Sequence, residues 1–324
     1  MLDKLPGDIF VSIACYRDPE AVPTIKDAYE KAKFKNQIVF GLYAQMNEED
    51  EQFDFSFINP EQVRLLVKPN ICARGPSYAR YIIYNKLYRN ELYYLQIDSH
   101  SRFVKNWDEE LVEMLSLLKK NSVLSTYPKG YNMNSTELKK YEDVNVLKLK
   151  KIKDGVPILT SSQEKLLQPK LNYFWAAGFS FCYGVIFKIV PFDPHLKNLF
   201  WGEEFLMSLR FFTNKIKVYT PHKNTVYTLW SRTYRHTFWE LKDILGKKFR
   251  IYGFLSFLRL CTIGKLYESE TFKEKINNEL DKYSVGNKKS IEEFYEKTGI
   301  AELLLKEKYD EIVYRFYYSL KNDL

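Results

Sequence analysis

Residues 8–126 alternate between two hydrophobic periodicities. Residues 8–15 (DIFVSIAC) form a β-branched and apolar run that ends in the turn chemistry of Arg17, Asp18 and Pro19. Thr24, Ile25, Ala28, Tyr29 and Ala32 then recur on one face of a helix. Strand patterns return at 37–43 (QIVFGLY), 63–67 (VRLLV) and 92–97 (LYYLQI). From Trp107 to Lys119 the spacing of Leu111, Met114, Leu115 and Leu118 predicts an amphipathic helix, and residues 122–126 a fifth strand. Strands alternating with helices predict an α/β fold with a mostly parallel, doubly wound sheet.

Residues 129–170 shift to Lys, Glu, Asn and short apolar pieces with a turn at Asp154-Gly155, and read as an insertion or lid. Aromatics crowd residues 173–201, and beyond Trp239 the pattern is helical with a loop near Gly286. This predicts a main domain over 1–240 and a helical C-terminal extension over 241–324. The uncharged stretch 171–187 holds Asn172, Gly178, Ser180 and Gly184 and is shorter than the ~20 apolar residues of a spanning helix, so it reads as core. No secretory pattern opens the chain, and Cys15, Cys72, Cys182 and Cys261 lack metal or disulfide spacing. A cytoplasmic location is the expectation. The 324 residues carry 49 Lys and Arg against 41 Asp and Glu, a net charge of +8. Interleaved as these charges are, they describe a solvated basic surface rather than a nucleic-acid tract.

Candidate chemistry gathers at element ends. Asp98 and His100 follow the fourth strand, where ligands bind in open α/β sheets. Two residues apart on an extended chain, they point to one side and can grip one divalent cation, Mn2+ or Mg2+. The competing reading is a capping Asp98 and a His100 bonded to a carbonyl. Arg74, Gly75 and Arg80 flank a helix start suited to phosphate, or simply turn the chain toward water. Glu203 and Glu204 open a second helix, where carboxylates also complement the helix dipole. Trp175, Phe179, Trp201 and Trp230 offer a stacking floor for a sugar, with Phe179 and Trp230 better read as core.

The ordered set of 9–18 (IFVSIACYRD), 73–75 (ARG) with 78–80 (YAR), 94–103 (YLQIDSHSRF), 107–108 (WD), 124–128 (LSTYP), 176–179 (AAGF), 193–194 (DP), 200–204 (FWGEE) and 229–232 (LWSR) resembles the polypeptide N-acetylglucosaminyltransferase family. The tail pattern 283–291 (YSVGNKKSI) with Gly299-Ile300 fits as well. The resemblance implies a GT-A glycosyltransferase fold, a UDP-sugar donor, a divalent cation and transfer with retention to a protein or glycan hydroxyl. It makes Asp98 and His100 metal ligands and places Ala14, Tyr16 and Arg17 by the uridine. Arg74, Gly75, Arg80, Trp175 and Arg232 then attend the donor, and Glu203 and Glu204 face the donor sugar and the acceptor hydroxyl. The family pattern has a third metal-binding His where this chain has Thr228, with His222 or His236 as substitutes.

Two other classes compete. A basic, aromatic-rich chain can hold single-stranded nucleic acid, but the carboxylates at 203–204 would repel phosphate. An amphipathic terminal segment at 309–320 suits a peripheral membrane transferase acting on a lipid-linked or capsular glycan at an anionic surface, or else a docked terminal helix.

Overall fold

Strand β1 (Ile9–Tyr16) is apolar on both faces because it lies inside the sheet. Its Ile9, Val11 and Ile13 join one hydrophobic layer, and Phe10 joins the other. The computed structural model describes residues 4–50, 53–135 and 137–321. The first three residues of the N-terminal stretch and the last three of the C-terminal extension therefore lie outside the described residues.

After β1 come α1 (Ala21–Lys31), β2 (Ile38–Met46), β3 (Val63–Pro69), α2 (Pro76–Lys86), β4 (Tyr93–Asp98), the short β5 (Ser101–Phe103), α3 (Trp107–Ser116) and β6 (Ser122–Ser125). The next stretch holds β7 (Lys129–Gly130), β8 (Val144–Lys153), β9 (Val156–Glu164), β10 (Lys170–Asn172) and β11 (Phe179–Tyr183). The chain continues through α4 (Ile186–Ile189), α5 (Glu203–Thr213), β12 (Lys217–Thr220) and β13 (Val226–Thr228). Helices α6 (Leu241–Leu245), α7 (Lys247–Ile263), α8 (Lys273–Ile276), α9 (Leu280–Tyr283), α10 (Ile291–Thr298), α11 (Ile300–Leu304) and α12 (Tyr309–Lys321) finish it.

Among the described residues the main sheet has eight strands in the order β10-β12-β6-β11-β4-β1-β2-β3. Its β1–β2, β1–β4, β2–β3 and β6–β12 pairs are parallel, whereas β11 runs antiparallel to β4 and β6. Helix α1 buries Ala21, Thr24, Ile25 and Ala28 on the stripe its spacing predicts. Helix α3 begins with Asp108, Glu109 and Glu110, which complement its dipole, and Trp107 Nε1 donates to Ala28 O at 2.8 Å.

The 129–170 segment folds mainly as the antiparallel hairpin β8–β9. One hydrophobic cluster joins Leu147, Val156 and Leu159 of that hairpin, Phe205, Leu206 and Leu209 of α5, and Phe254, Phe257, Phe294 and Ile312 of the C-terminal helices. Within 171–187, Trp175, Phe179 and Phe181 are buried, and no helix among the described residues is long and apolar enough to cross a membrane. Helix α12 buries Ile312, Val313 and Leu320 against the preceding helices.

Candidate active site

A cavity of about 460 Å³ opens beyond the carboxyl ends of β1 and β4. Those strands are neighbours at the point where the order turns outward in both directions, and open α/β sheets bind ligands at such a point. Ala14 and Tyr16 reach it from β1 and Asp98 from β4, followed by Ser99 and His100. Gly75 and Arg80 come from the start of α2, and Glu203 and Glu204 from the start of α5. Arg232, Arg235 and Trp239 close it from the segment after β13.

His100 Nε2 lies 3.9 Å from Asp98 Oδ2, and its Nδ1 lies 2.8 Å from Asp18 Oδ2. A carboxylate only accepts, so Nδ1 carries the proton and the Nε2 lone pair is turned to the Asp98 side. Asp18 is fully buried, and Ser99 Oγ at 2.5 Å, Tyr234 OH at 3.0 Å and Arg235 Nε at 3.2 Å also surround it. Burial works to raise the Asp18 carboxyl, but the bond from His100 and the charge of Arg235 outweigh it and hold it below the ordinary carboxylate range. A buried carboxylate behind a histidine is the outer support that orients imidazole toward a metal. Close approach also matters here: a Cβ on Gly178 would meet Asp98 Oδ2 at 3.0 Å.

A carboxylate and an imidazole facing one cavity are a donor pair that fits a divalent cation. Among the described residues no three His, Cys, Asp or Glu side chains gather as a ligand set. Thr228 pairs with Ser101 in a short ladder and its Oγ1 is buried without a partner, while the N–H of Leu229 donates to His100 O at 3.0 Å. Neither His222 nor His236 lines the cavity, and His236 Nδ1 pairs with Glu240 at 2.9 Å.

Glu203 and Glu204 diverge, as adjacent helical residues must. Glu203 Oε2 pairs with Arg80 Nη1 at 2.5 Å and is 3% exposed. Glu204 keeps some surface and accepts from Tyr127 OH at 2.5 Å and from the N–H of Ala177 at 2.9 Å. Burial pushes the Glu204 carboxyl up to about 7, with the two hydrogen bonds opposing the rise.

The family description "Glycosyltransferase (GlcNAc)" matches residues 8–57 and 51–303. The chain belongs to this glycosyltransferase family. None of the curated proteins matches it. Among solved structures, GalNAc-T7 with UDP, GalNAc and Mn2+ superposes with a TM-score of 0.61 at 14% identity, covering 91% of this chain and 58% of that one. This chain thus spans less than two thirds of that relative, and the likeness shows the GT-A fold. S. aureus TarS 1–349 gives a TM-score of 0.45 at 12% identity over 94% of this chain and 76% of that one. TarS 1–349 in complex with UDP-GlcNAc gives 0.45 and 12% over 85% and 78%. Likeness at that level supports no inference about this chain.

Within this glycosyltransferase-family chain the cavity gathers Ala14, Tyr16, Gly75, Arg80, Asp98, His100, Glu203, Glu204 and Arg232. Arg17, Arg74 and Trp175 are not in its wall. Arg17 adopts a φ of 43°, and its guanidinium is held by Asp50 at 2.9 Å and by Glu49 and Glu240 at 3.1 Å. Arg74 donates to the carbonyls of Ile71 and Ala73 at 2.9 and 2.7 Å. Trp175 is fully buried, with its Nε1 donating to Ser180 Oγ at 2.8 Å. Phe179 is core as expected, but Trp230 is 53% exposed at the cavity edge. Its ring lies over Gly130, where an added Cβ would sit 3.0 Å away, and packs edge-on to Tyr127. The sequence pattern missed the parts that Asp18, Tyr127 and Arg235 play at this site. Asp18 and Tyr127 had a signal, since they stand within the motifs at 9–18 and 124–128.

Proposed function

We propose that this protein is a retaining, divalent-cation-dependent glycosyltransferase that moves a sugar from a UDP-sugar to an acceptor hydroxyl. The observation that carries the reading is the opening of the Asp98–His100 pair and Glu204 onto one cavity at the β1 and β4 carboxyl ends. The family membership supports GlcNAc as the sugar, as does the resemblance to polypeptide N-acetylglucosaminyltransferases. The similar fold of GalNAc-T7, solved with UDP and Mn2+, supports the nucleotide and the metal. Four unpaired thiols suit a reducing, cytoplasmic setting.

In this reading Asp98 and His100 would hold the cation, and Asp18 fixes the His100 imidazole through Nδ1. When bound, the cation supplies positive charge beside the departing diphosphate. Arg232, which lines the cavity and stacks on Phe200 at 5.4 Å, would add a second positive charge for the same diphosphate. Ala14 and Tyr16 border the uridine. Glu203 fixes Arg80 as a charge in the wall, and Glu204, with surface left in the cavity, touches the sugar or the acceptor hydroxyl. The bond from the anomeric carbon to the diphosphate oxygen breaks on the face where the acceptor oxygen forms its new bond. The acceptor proton passes to the departing phosphate oxygen, so charge and atoms balance and the anomeric configuration is kept. Stabilising the charge that develops on the diphosphate is the main catalytic demand.

Calorimetry with UDP-GlcNAc, UDP-GalNAc and UDP-glucose, with and without Mn2+ or Mg2+, tests the reading. Metal-dependent binding of one sugar nucleotide is expected, together with its loss in a folded Asp98→Asn variant. Absence of binding with every cation would overturn the donor assignment, and a product of inverted anomeric configuration by NMR would overturn retention.

A further inference from the structure

Strand β9 forms part of the cavity wall through Pro157 to Ser161. Its partner β8 carries Lys148, Lys150, Lys151 and Lys153. Residues directly opposite on an antiparallel pair share a face with Cβ atoms about 5 Å apart. Lys148 stands opposite Thr160, and Lys151 opposite Ile158, both of which line the cavity. The ladder shifts register between Leu149 and Lys151, leaving Lys150 as the extra residue of a bulge. All four lysines are exposed, while Leu147 and Leu149 of β8 and Val156, Ile158 and Leu159 of β9 pack against the core.

The charges on this face are not neutralised. Among the described residues no carboxylate pairs with any of the four, whereas nearby Lys165 and Lys170 pair with Glu142 and Glu164 at 2.5 and 2.6 Å. Beside the same cavity Trp201 and Trp230 are each 53% exposed. A half-exposed indole presents a flat apolar face with a negative π-cloud that suits the CH face of a sugar ring and not the carboxylate of an acidic peptide.

We propose that the acceptor is an acidic glycan, a carbohydrate chain bearing carboxylate or phosphate groups. Its acceptor sugar enters over Trp201 and Trp230, and its anionic groups lie along the lysine face of β8. This rests on the transferase reading of the cavity and adds the substrate class to it. Lysine ammonium groups at the rim act through charge, so they set encounter and salt dependence more than geometry.

The test uses the full chain with four probes of equal length: an oligogalacturonate, a mannosyl-phosphate oligomer, a neutral dextran and an oligoglutamate. Fluorescence polarisation at low and high salt is expected to show one or both acidic glycans binding at least about tenfold tighter than dextran or oligoglutamate, with affinity falling as salt rises. The two acidic arms tell carboxylate from phosphate recognition. The double variant Lys148→Glu, Lys151→Glu, altered only at exposed positions, is expected to lose about tenfold in acidic-glycan affinity while binding UDP like the parent. Equal binding of dextran, an unchanged double variant, no binding of either acidic glycan, or oligoglutamate binding as tightly as the glycans would each overturn the proposal. UDP titration of the same samples reports separately on the donor reading, because failure there leaves the glycan result legible.

Discussion

Glu204 shows how far surroundings can change one side chain. Its carboxyl is pushed from an ordinary value near 4.5 up to about 7, first by burial. The folded chain thus holds an extra proton between those two values. Its stabilising contribution is complete below the unfolded value and is lost as pH rises through about 7. Glu204→Gln is expected to match the parent near pH 4 and to exceed it by on the order of 1–3 kcal/mol at pH 8, read by urea unfolding at both pH values. Because the Tyr127 hydroxyl bond lowers the Glu204 value, Tyr127→Phe should move the midpoint of that pH dependence upward. A pH-independent difference would contradict the assignment. Thr228 is the second informative residue, since its Oγ1 is buried without a partner beside the backbone of the His100 segment. Thr228→His is expected to tighten Mn2+ binding several-fold in a metal titration followed by calorimetry. Unchanged affinity in a folded variant would show that this position does not face the cation.

At the scale of elements, the site depends on where two helices begin. Gly202 precedes α5 with φ of 104°, and a Cβ there would meet Leu260 Cδ1 at 2.3 Å. Only glycine satisfies both demands, so the pair Glu203–Glu204 is placed by a backbone turn rather than by its own chemistry. Gly202→Ala is expected to cost roughly 1–3 kcal/mol of stability and to weaken sugar-nucleotide binding, measured by melting temperature and calorimetry on one preparation. Retention of both would mean that α5 can shift without disturbing the cavity. The helix starts at Pro76 and Glu203 were legible from glycine and proline punctuation followed by helical spacing. The β8–β9 hairpin was not, because a bulge at Lys150 interrupts the alternation of its lysine-rich strand, and no local period announces the bulge.

Across the whole molecule, the segment beyond residue 240 shares a core with α5 and the hairpin. Fully buried Arg259 of α7 pairs with Asp193 at 2.7 Å, fastening that segment to the loop before α5. A chain ending at residue 240 would leave Phe205, Leu206 and Leu209 without their C-terminal cover. It is expected to lose cooperative unfolding and near-ultraviolet circular dichroism, and a sharp melting transition in that truncation would show that 1–240 folds alone.

The sequence by itself determined the alternating strands and helices, the buried character of the central strands and the candidates Asp98, His100, Glu203 and Glu204. Each of these follows from local spacing, turn residues or position at an element end, all of which are short-range properties of the chain. Only the tertiary structure decided that Asp18 stands behind His100, that Tyr127 and Ala177 hold Glu204, and that Arg17 and Trp175 turn away from the cavity. Those outcomes depend on partners such as Glu240 and Ser208, more than 30 residues away in the chain, brought together by burial. A side chain's exposure and proton affinity are set by that assembled neighbourhood, and no local pattern encodes it.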